Sequence, residues 1–252
     1  MDRWTNKVAV VTGASSGIGA ATVKDLVKAG MIVAGLARRV DRVAAIRDSL
    51  PKELQPKLHP LKCDVTSDEE VKSVFAWIEK NLGGVDVLIN NAGITRLTEL
   101  TRPGNTKDIR DVVDTNILGV VYCTREAFNS MKARKVDGHV VIINSIAGHR
   151  VPNFMGQLPS FNIYSPTKYA ITAMNETLRQ EFLEAGTRIK ISSVSPGAVE
   201  TEIFPAETLP IVKEKFVMLN PEDVSNAILF VLGTPPHVQI HELTIKPVGE
   251  LC

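Results

Sequence analysis

Short runs of apolar, β-branched residues alternate with longer amphipathic stretches along nearly the whole chain, and this alternation limits the fold more than any other feature. Lys7 to Val11 reads as an apolar strand that runs into a glycine-rich turn. Gly17 to Ala29 reads as a helix ended by Gly30, Met31 to Leu36 as a second strand, and Arg39 to Leu50 as a helix stopped by Pro51. Lys57 to Val65 contains a third strand. Ser67 caps a helix that passes through Trp77 to Asn81 and stops at Gly83 and Gly84, before a fourth strand at Val85 to Ile89. One long helical pattern extends from Thr106 to Ala133, with Ile109, Val112 and Val113 on one face. His139 to Asn144, Ile189 to Val194 and Val238 to Ile245 are further strands, and Tyr164 to Ala185 and Pro221 to Leu232 are helices. Strands that are apolar throughout are buried on both faces, which predicts an α/β fold with a parallel sheet and helices on either side. Right-handed crossovers give it a doubly wound, Rossmann-type strand order of 3-2-1-4-5-6-7.

At 252 residues the chain suits a single domain, 1–252, rather than two. Its 29 basic and 28 acidic side chains nearly balance, which argues against a nucleic-acid partner. Cys63, Cys123 and Cys252 are odd in number and far apart, and without a CxxC or His/Cys cluster they predict neither a disulfide framework nor a metal site. His237 and His241 fall in a predicted strand, which does not set them up as a ligand pair. The first residues lack an apolar signal core, and no apolar run is long enough to span a bilayer. A cytoplasmic protein with reduced thiols is the expectation. Three loops, 94–104, 146–163 and 197–216, are the candidate pocket loops, because long irregular stretches in a compact domain are often functional.

The turn Thr12-Gly13-Ala14-Ser15-Ser16-Gly17-Ile18-Gly19 follows the first strand and opens a helix. Glycines let the backbone approach a pyrophosphate, and the helix start offers unpaired N–H groups. The second strand ends in Ala37-Arg38-Arg39. A free ribose 2′-hydroxyl would call for an acid there, whereas guanidinium groups suit a 2′-phosphate. The reading is therefore NADP(H), against the alternative of an ordinary solvated helix start. Asp64 closes the third strand, beside Val65, and can accept from an adenine amino group. Asn91, Ala92 and Gly93 end the fourth, where small residues admit a flat ring.

Tyr164 and Lys168 stand four apart at a helix start and share a face. A phenol titrates near ~10, and a nearby ammonium favours its ionised form. That would make Tyr164 a proton donor or acceptor. Ser145 follows the fifth strand and can donate to a substrate oxygen, or else serve as a turn hydroxyl. Asn116 reads either as a buried amide bonded to backbone or as the holder of a water on a proton path to Lys168.

Taken in order, TGASSGIG, CDVT, NNAG, Asn116, Ser145, YSPTK and the segment Pro196-Gly197-Ala198-Val199-Glu200-Thr201 resemble the motifs of the classical short-chain dehydrogenase/reductase family over essentially the whole chain. The resemblance implies that Tyr164 exchanges the proton, Lys168 binds the nicotinamide ribose and tunes Tyr164, Ser145 orients the carbonyl and Asn116 completes a relay. It implies that Pro196, Gly197, Val199 and Thr201 hold the carboxamide end of the nicotinamide, and that the chain forms a homodimer or homotetramer through its two long helices. "GLARR", "NSIAGHRVPNF" and "IKPVGE" are similar to the subgroup of insect farnesol dehydrogenases and their vertebrate carbonyl and steroid reductase relatives.

Two features depart from the family pattern. The 19 positions from Ser145 to Tyr164 form a longer interval than usual, with an apolar insert. Pro166 lies between Tyr164 and Lys168 and disfavours helix at Ser165, which predicts a helix beginning at Pro166. Ile94, Ile146, Phe154, Leu158, Phe161, Val199 and Phe204 are candidate pocket residues, and His149 either reaches the pocket or caps a loop. An apolar pocket suits a hydrophobic alcohol or carbonyl, with an isoprenoid alcohol such as farnesol first and a hydroxysteroid as the alternative. A non-catalytic nucleotide-binding regulator is the reading from a different class.

Overall fold

The computed structural model describes residues 1–153, 161–205 and 207–250. Its strands are β1 (Val8–Thr12), β2 (Ile32–Ala37), β3 (Leu58–Lys62), β4 (Val87–Asn90), β5 (His139–Ile143), β6 (Lys190–Pro196) and β7 (Glu242–Ile245). They pair in parallel in the order 3-2-1-4-5-6-7, as the alternation predicts. The helices are α1 (Gly17–Lys28), α2 (Val40–Ser49), α3 (Asp68–Leu82), α4 (Thr106–Val113), α5 (Gly119–Ala133), α6 (Tyr164–Glu184), α7 (Leu209–Lys215) and α8 (Pro221–Leu232).

Successive side chains of β1 serve opposite layers, because strand side chains alternate. Ala9 and Val11 join Val23, Leu26, Val224 and Ile228 under α1 and α8. Val8 and Val10 join Val71, Phe75, Cys123 and Ile171 under α3, α5 and α6. Each fully buried Val or Leu contributes about 1.5–3 kcal/mol of transfer free energy. The strand order reverses beside β1, so the crevice at the carboxyl ends of β1 and β4 is where such a sheet takes ligands. Local chemistry sets the helix ends. Ser67 accepts from Glu70 N at 3.2 Å to start α3, and Gly83 ends it at φ 83°. Asn220 and Asp223 close a capping box on α8. No helix among the described residues is long and apolar enough to cross a membrane. Cys63 and Cys123 are buried free thiols, and burial raises the pKa of both.

Four expectations are corrected. The long helix is not uniform: residues Asp114–Leu118 form a π-helical turn between α4 and α5, with buried Asn116 inside it. α6 begins at Tyr164 rather than at Pro166. Pro166 is then the third helical residue, whose N–H would lack an intrahelical partner in any case, so the proline costs the helix no bond. β7 spans only Glu242–Ile245. Before it, the Lys190 ammonium draws in the carbonyls of Pro235 (2.7 Å) and Val238, which loops the segment with His237 around a cation instead of along the sheet. The stretch 197–216 is not wholly irregular either, because Pro210 sits in the first turn of α7, where proline is tolerated.

His139, fully buried on β5, meets Ser192 Oγ at 2.9 Å, and burial pushes its pKa down to about 3. The unfolded chain binds this proton below about pH 6.5 and the folded chain does not. Stability is therefore present above pH 6.5 and is lost as pH falls toward 3, by at most about 1.4 kcal/mol per pH unit. Urea unfolding of His139→Asn between pH 7 and pH 4 should show a shallower acid loss than wild type. An identical slope would remove His139 as the cause.

Candidate active site

A cleft of about 570 Å³ opens at the carboxyl ends of β1, β4, β5 and β6. One end is the glycine turn. Gly13 has φ +67°, and a Cβ there would lie 2.9 Å from Ala92 Cα. A Cβ on Gly19 would lie 2.4 Å from Gly13 O. The absence of these atoms is what allows the turn to fold this tightly. Asn91 pins the turn from β4, its Nδ2 donating to Thr12 O at 2.9 Å and to Gly13 O at 3.3 Å. The N-cap residue Ser16 makes no side-chain cap bond, so its hydroxyl leaves the first N–H groups of α1 unclaimed. Gly13, Ser15, Ser16, Gly17, Ile18, Asn91, Ala92 and Gly93 all line the cleft. Gly19 sits behind the turn, packed against it.

Arg38, Arg39, Asp64 and Val65 line the same end. Arg39 Nη2 donates to Ser16 Oγ at 3.1 Å. Asp64 Oδ1 accepts from the N (3.0 Å) and Oγ1 (2.8 Å) of Thr66 in a turn that leads into α3.

At the other end, the hydroxyls of Tyr164 and Ser145 are hydrogen-bonded to each other. Ser145 Oγ also accepts from Ala147 N at 3.0 Å. Lys168 Nζ donates to Ile143 O at 2.8 Å and stands 5.7 Å from the centre of the Tyr164 ring. Burial pushes Tyr164 up to about 12, with the Ser145 bond opposing it. Burial pushes Lys168 down to about 8. The sequence suggests a net lowering of Tyr164, but in the protein alone desolvation outweighs the opposing Ser145 bond.

Asn116 spends its amide on neighbours. Its Oδ1 accepts from Ile94 N at 2.9 Å, and its Nδ2 donates to Ile94 O (3.0 Å) and Thr167 Oγ1 (3.2 Å). Thr167 Oγ1 in turn donates to Tyr164 O at 2.6 Å. These bonds tie the start of α6 to the segment after β4.

Beyond β6, Leu219 N donates to Ala198 O at 2.8 Å, and Glu200 N to Leu219 O at 2.9 Å. The N–H and C=O of Val199 take no part in this bridge. Pro196, Gly197, Val199 and Thr201 line the cleft, as do Ile94, Ile146, Phe161 and Phe204. Phe161 stands edge-on to Tyr164 at 6.4 Å and 6.2 Å from Phe204. Phe154 and Leu158 lie outside the described residues. His149 instead meets Ser195 Oγ at 3.0 Å and Glu242 Oε1 at 3.4 Å, away from the lining.

Sequence reasoning missed several residues of the lining, among them Arg96, Val212, Glu202 and Glu250. Arg96 pairs with Asp108 and Asp111. Glu250 Oε2 is buried, a Cβ on Gly197 would lie 2.0 Å from it, and the Ala198 backbone hydrogen-bonds the carboxyl. Burial raises the pKa of this carboxyl. No local periodicity marks any of the four.

Residues 7–209 match the family model described as short chain dehydrogenase. The chain belongs to the short-chain dehydrogenase family. This family member is 56% identical over 250 residues to a farnesol dehydrogenase of Aedes aegypti, covering 99% of each chain. It is 41% identical over 259 residues to dehydrogenase/reductase SDR family member 11 of Homo sapiens, covering 100% of this chain and 98% of the relative. Among solved structures, the closed form of a serine dehydrogenase complexed with NADP+ superposes with a TM-score of 0.84 at 28% identity, covering 96% of each chain. This short-chain dehydrogenase is an oxidoreductase with the Rossmann-type sheet of its relatives.

Proposed function

We propose that the chain is an NADP(H)-dependent oxidoreductase that interconverts a hydrophobic alcohol and its aldehyde or ketone, with an acyclic isoprenoid alcohol such as farnesol as substrate. One observation carries the reading: the half-buried Tyr164–Ser145 pair lies at the end of a cleft whose opposite end is the glycine turn. The turn fits a dinucleotide, because its missing Cβ atoms leave backbone exposed beside an unclaimed helix start. Gly13, Ser15, Ser16, Gly17 and Ile18 would hold the pyrophosphate, with Gly19 shaping the turn. Arg38 and Arg39 would hold a 2′-phosphate, and Asp64 and Val65 the adenine. Asn91, Ala92, Gly93 and Lys168 would hold the nicotinamide ribose, and Pro196, Gly197, Val199 and Thr201 the carboxamide. A bound nicotinamide cofactor supplies the hydride chemistry.

The chain's own residues handle the proton. Tyr164 is protonated at neutral pH and donates to the substrate oxygen in the reducing direction. Ser145 holds that oxygen through its hydroxyl. Lys168 places a positive charge near the ring, favouring phenolate when Tyr164 acts as base. Asn116 positions α6 through Thr167. The apolar wall of Ile94, Ile146, Val199, Phe161 and Phe204 excludes water and suits a hydrocarbon chain. The similarity to a farnesol dehydrogenase of Aedes aegypti supports farnesol. Association into a homodimer or homotetramer through α5 and α6, with exposed Tyr169 and Leu183 on α6, and a cytoplasmic location belong to the same reading.

The test is a panel of farnesol, hydroxysteroids and dicarbonyls, followed by nicotinamide absorbance under both cofactors. Farnesol should turn over with NADP+ at a kcat/KM at least about tenfold above NAD+, and Arg38→Ala should erase most of that margin. Equal use of both cofactors sinks the cofactor assignment. Thermal stabilisation by NADPH without turnover of any substrate would instead favour the regulator.

A further inference from the structure

Glu202 sits six residues beyond the end of β6, and its carboxylate grips two guanidinium groups at the start of α2. Its Oε2 accepts from Arg39 Nη2 at 2.7 Å and its Oε1 from Arg42 Nη1 at 2.7 Å. The same Arg39 nitrogen reaches Ser16 Oγ at 3.1 Å and Ser15 Oγ at 3.4 Å. One guanidinium nitrogen thus spans the glycine turn and the acid. Beside it, Thr201 lies over the turn: a Cβ on Gly17 would meet Thr201 Cγ2 at 2.8 Å. The segment after β6 therefore crosses the turn, and Glu202 ties it to α2. Glu202, Arg38, Arg39, Ser15 and Ser16 all line the mouth of the cleft.

A phosphate and a carboxylate compete for the same guanidinium donors, and the two anions repel each other at contact distance. We propose that Glu202 is the resident counter-anion of the 2′-phosphate subsite and a specificity-determining residue that limits the preference for NADPH over NADH. In the free protein it occupies Arg39 and Arg42. A 2′-phosphorylated cofactor must take Arg39 from it, whereas a cofactor with a free 2′-hydroxyl leaves the pairs intact. The proposal rests on the NADP(H) reading and adds the residue that opposes it. The two arginines hold the Glu202 carboxyl below the usual range, so it is ionised at neutral pH. Both sides of the pairs are about half exposed, which keeps the effect modest.

Dissociation constants for NADPH and NADH can be read from nicotinamide fluorescence in wild type, Glu202→Gln, Glu202→Ala, Arg38→Ala and Arg39→Ala. Both Glu202 variants should bind NADPH about threefold to tenfold more tightly, with NADH changed less than about twofold. Added salt should shrink the gain. Weaker or unchanged NADPH binding in the Glu202 variants overturns the proposal, as does an equal shift for both cofactors. A wild type without NADPH preference, or a preference untouched by both arginine variants, overturns the cofactor reading itself. That failure is visible without any Glu202 variant.

Discussion

Tyr164→Phe is expected to lower kcat by a factor on the order of 10³ in both directions while leaving NADPH affinity within about threefold. The substitution removes only the hydroxyl, and the ring keeps its edge contact with Phe161 at 6.4 Å. The hydroxyl is a titratable group bonded to Ser145 in the lining of the cleft. Steady-state kinetics with a farnesol-type alcohol and its aldehyde, together with cofactor fluorescence titration, checks both halves. Unchanged turnover would remove Tyr164 from the mechanism. In wild type, the two directions should respond oppositely to pH. Reduction needs the protonated phenol, which persists below its pKa of about 12, and oxidation needs the phenolate, which accumulates as pH rises. Oxidation should therefore climb through the alkaline range. Lys168 sits at about 8, and loss of its ammonium charge above that value should slow the climb.

Gly19→Ala is expected to weaken NADPH binding by a factor on the order of 10² and to cost about 1–3 kcal/mol of stability. The new Cβ would sit 2.4 Å from Gly13 O and 2.5 Å from Asn91 Nδ2. Neither neighbour yields cheaply. Asn91 is bonded to Thr12 and Gly13, and Ala14 N is bonded to Leu36 O at 3.1 Å. The turn must open, and the surface that receives the pyrophosphate opens with it. Gly83→Ala is the control. Gly83 has φ +83° with nothing within 4 Å, so the change should cost about 1–2 kcal/mol of backbone strain and leave cofactor affinity unchanged. Urea unfolding and fluorescence titration separate the two outcomes. Gly19→Ala with wild-type affinity would show that the turn does not seat the cofactor.

Strand order, the glycine turn and the Tyr164–Lys168 pair were all legible in the sequence, because each rests on short-range pattern. Apolar runs, turn glycines and four-residue helical spacing are visible within a window of a few residues. Each error has an identifiable cause. Pro166 was read as the first helical residue, although the third position tolerates proline as well. The predicted strand from Val238 gave way to a loop, because Lys190, 48 positions away in sequence, takes the carbonyl of Val238. The π turn around Asn116 was not read from the sequence, because five residues are too few to set a distinct apolar period.

By itself the sequence determined a doubly wound sheet, a tight glycine turn after its first strand and a Tyr–Lys–Ser set at its carboxyl end. The tertiary structure alone decided what those residues touch. Arg39 and Glu202 are 163 positions apart, and Asn116 and Thr167 are 51 apart. Glu250 reaches Gly197 from the far end of the chain. Such contacts depend on the path of loops over the sheet and on the register of β6 beside β7, and neither is encoded in local hydrophobic period or spacing.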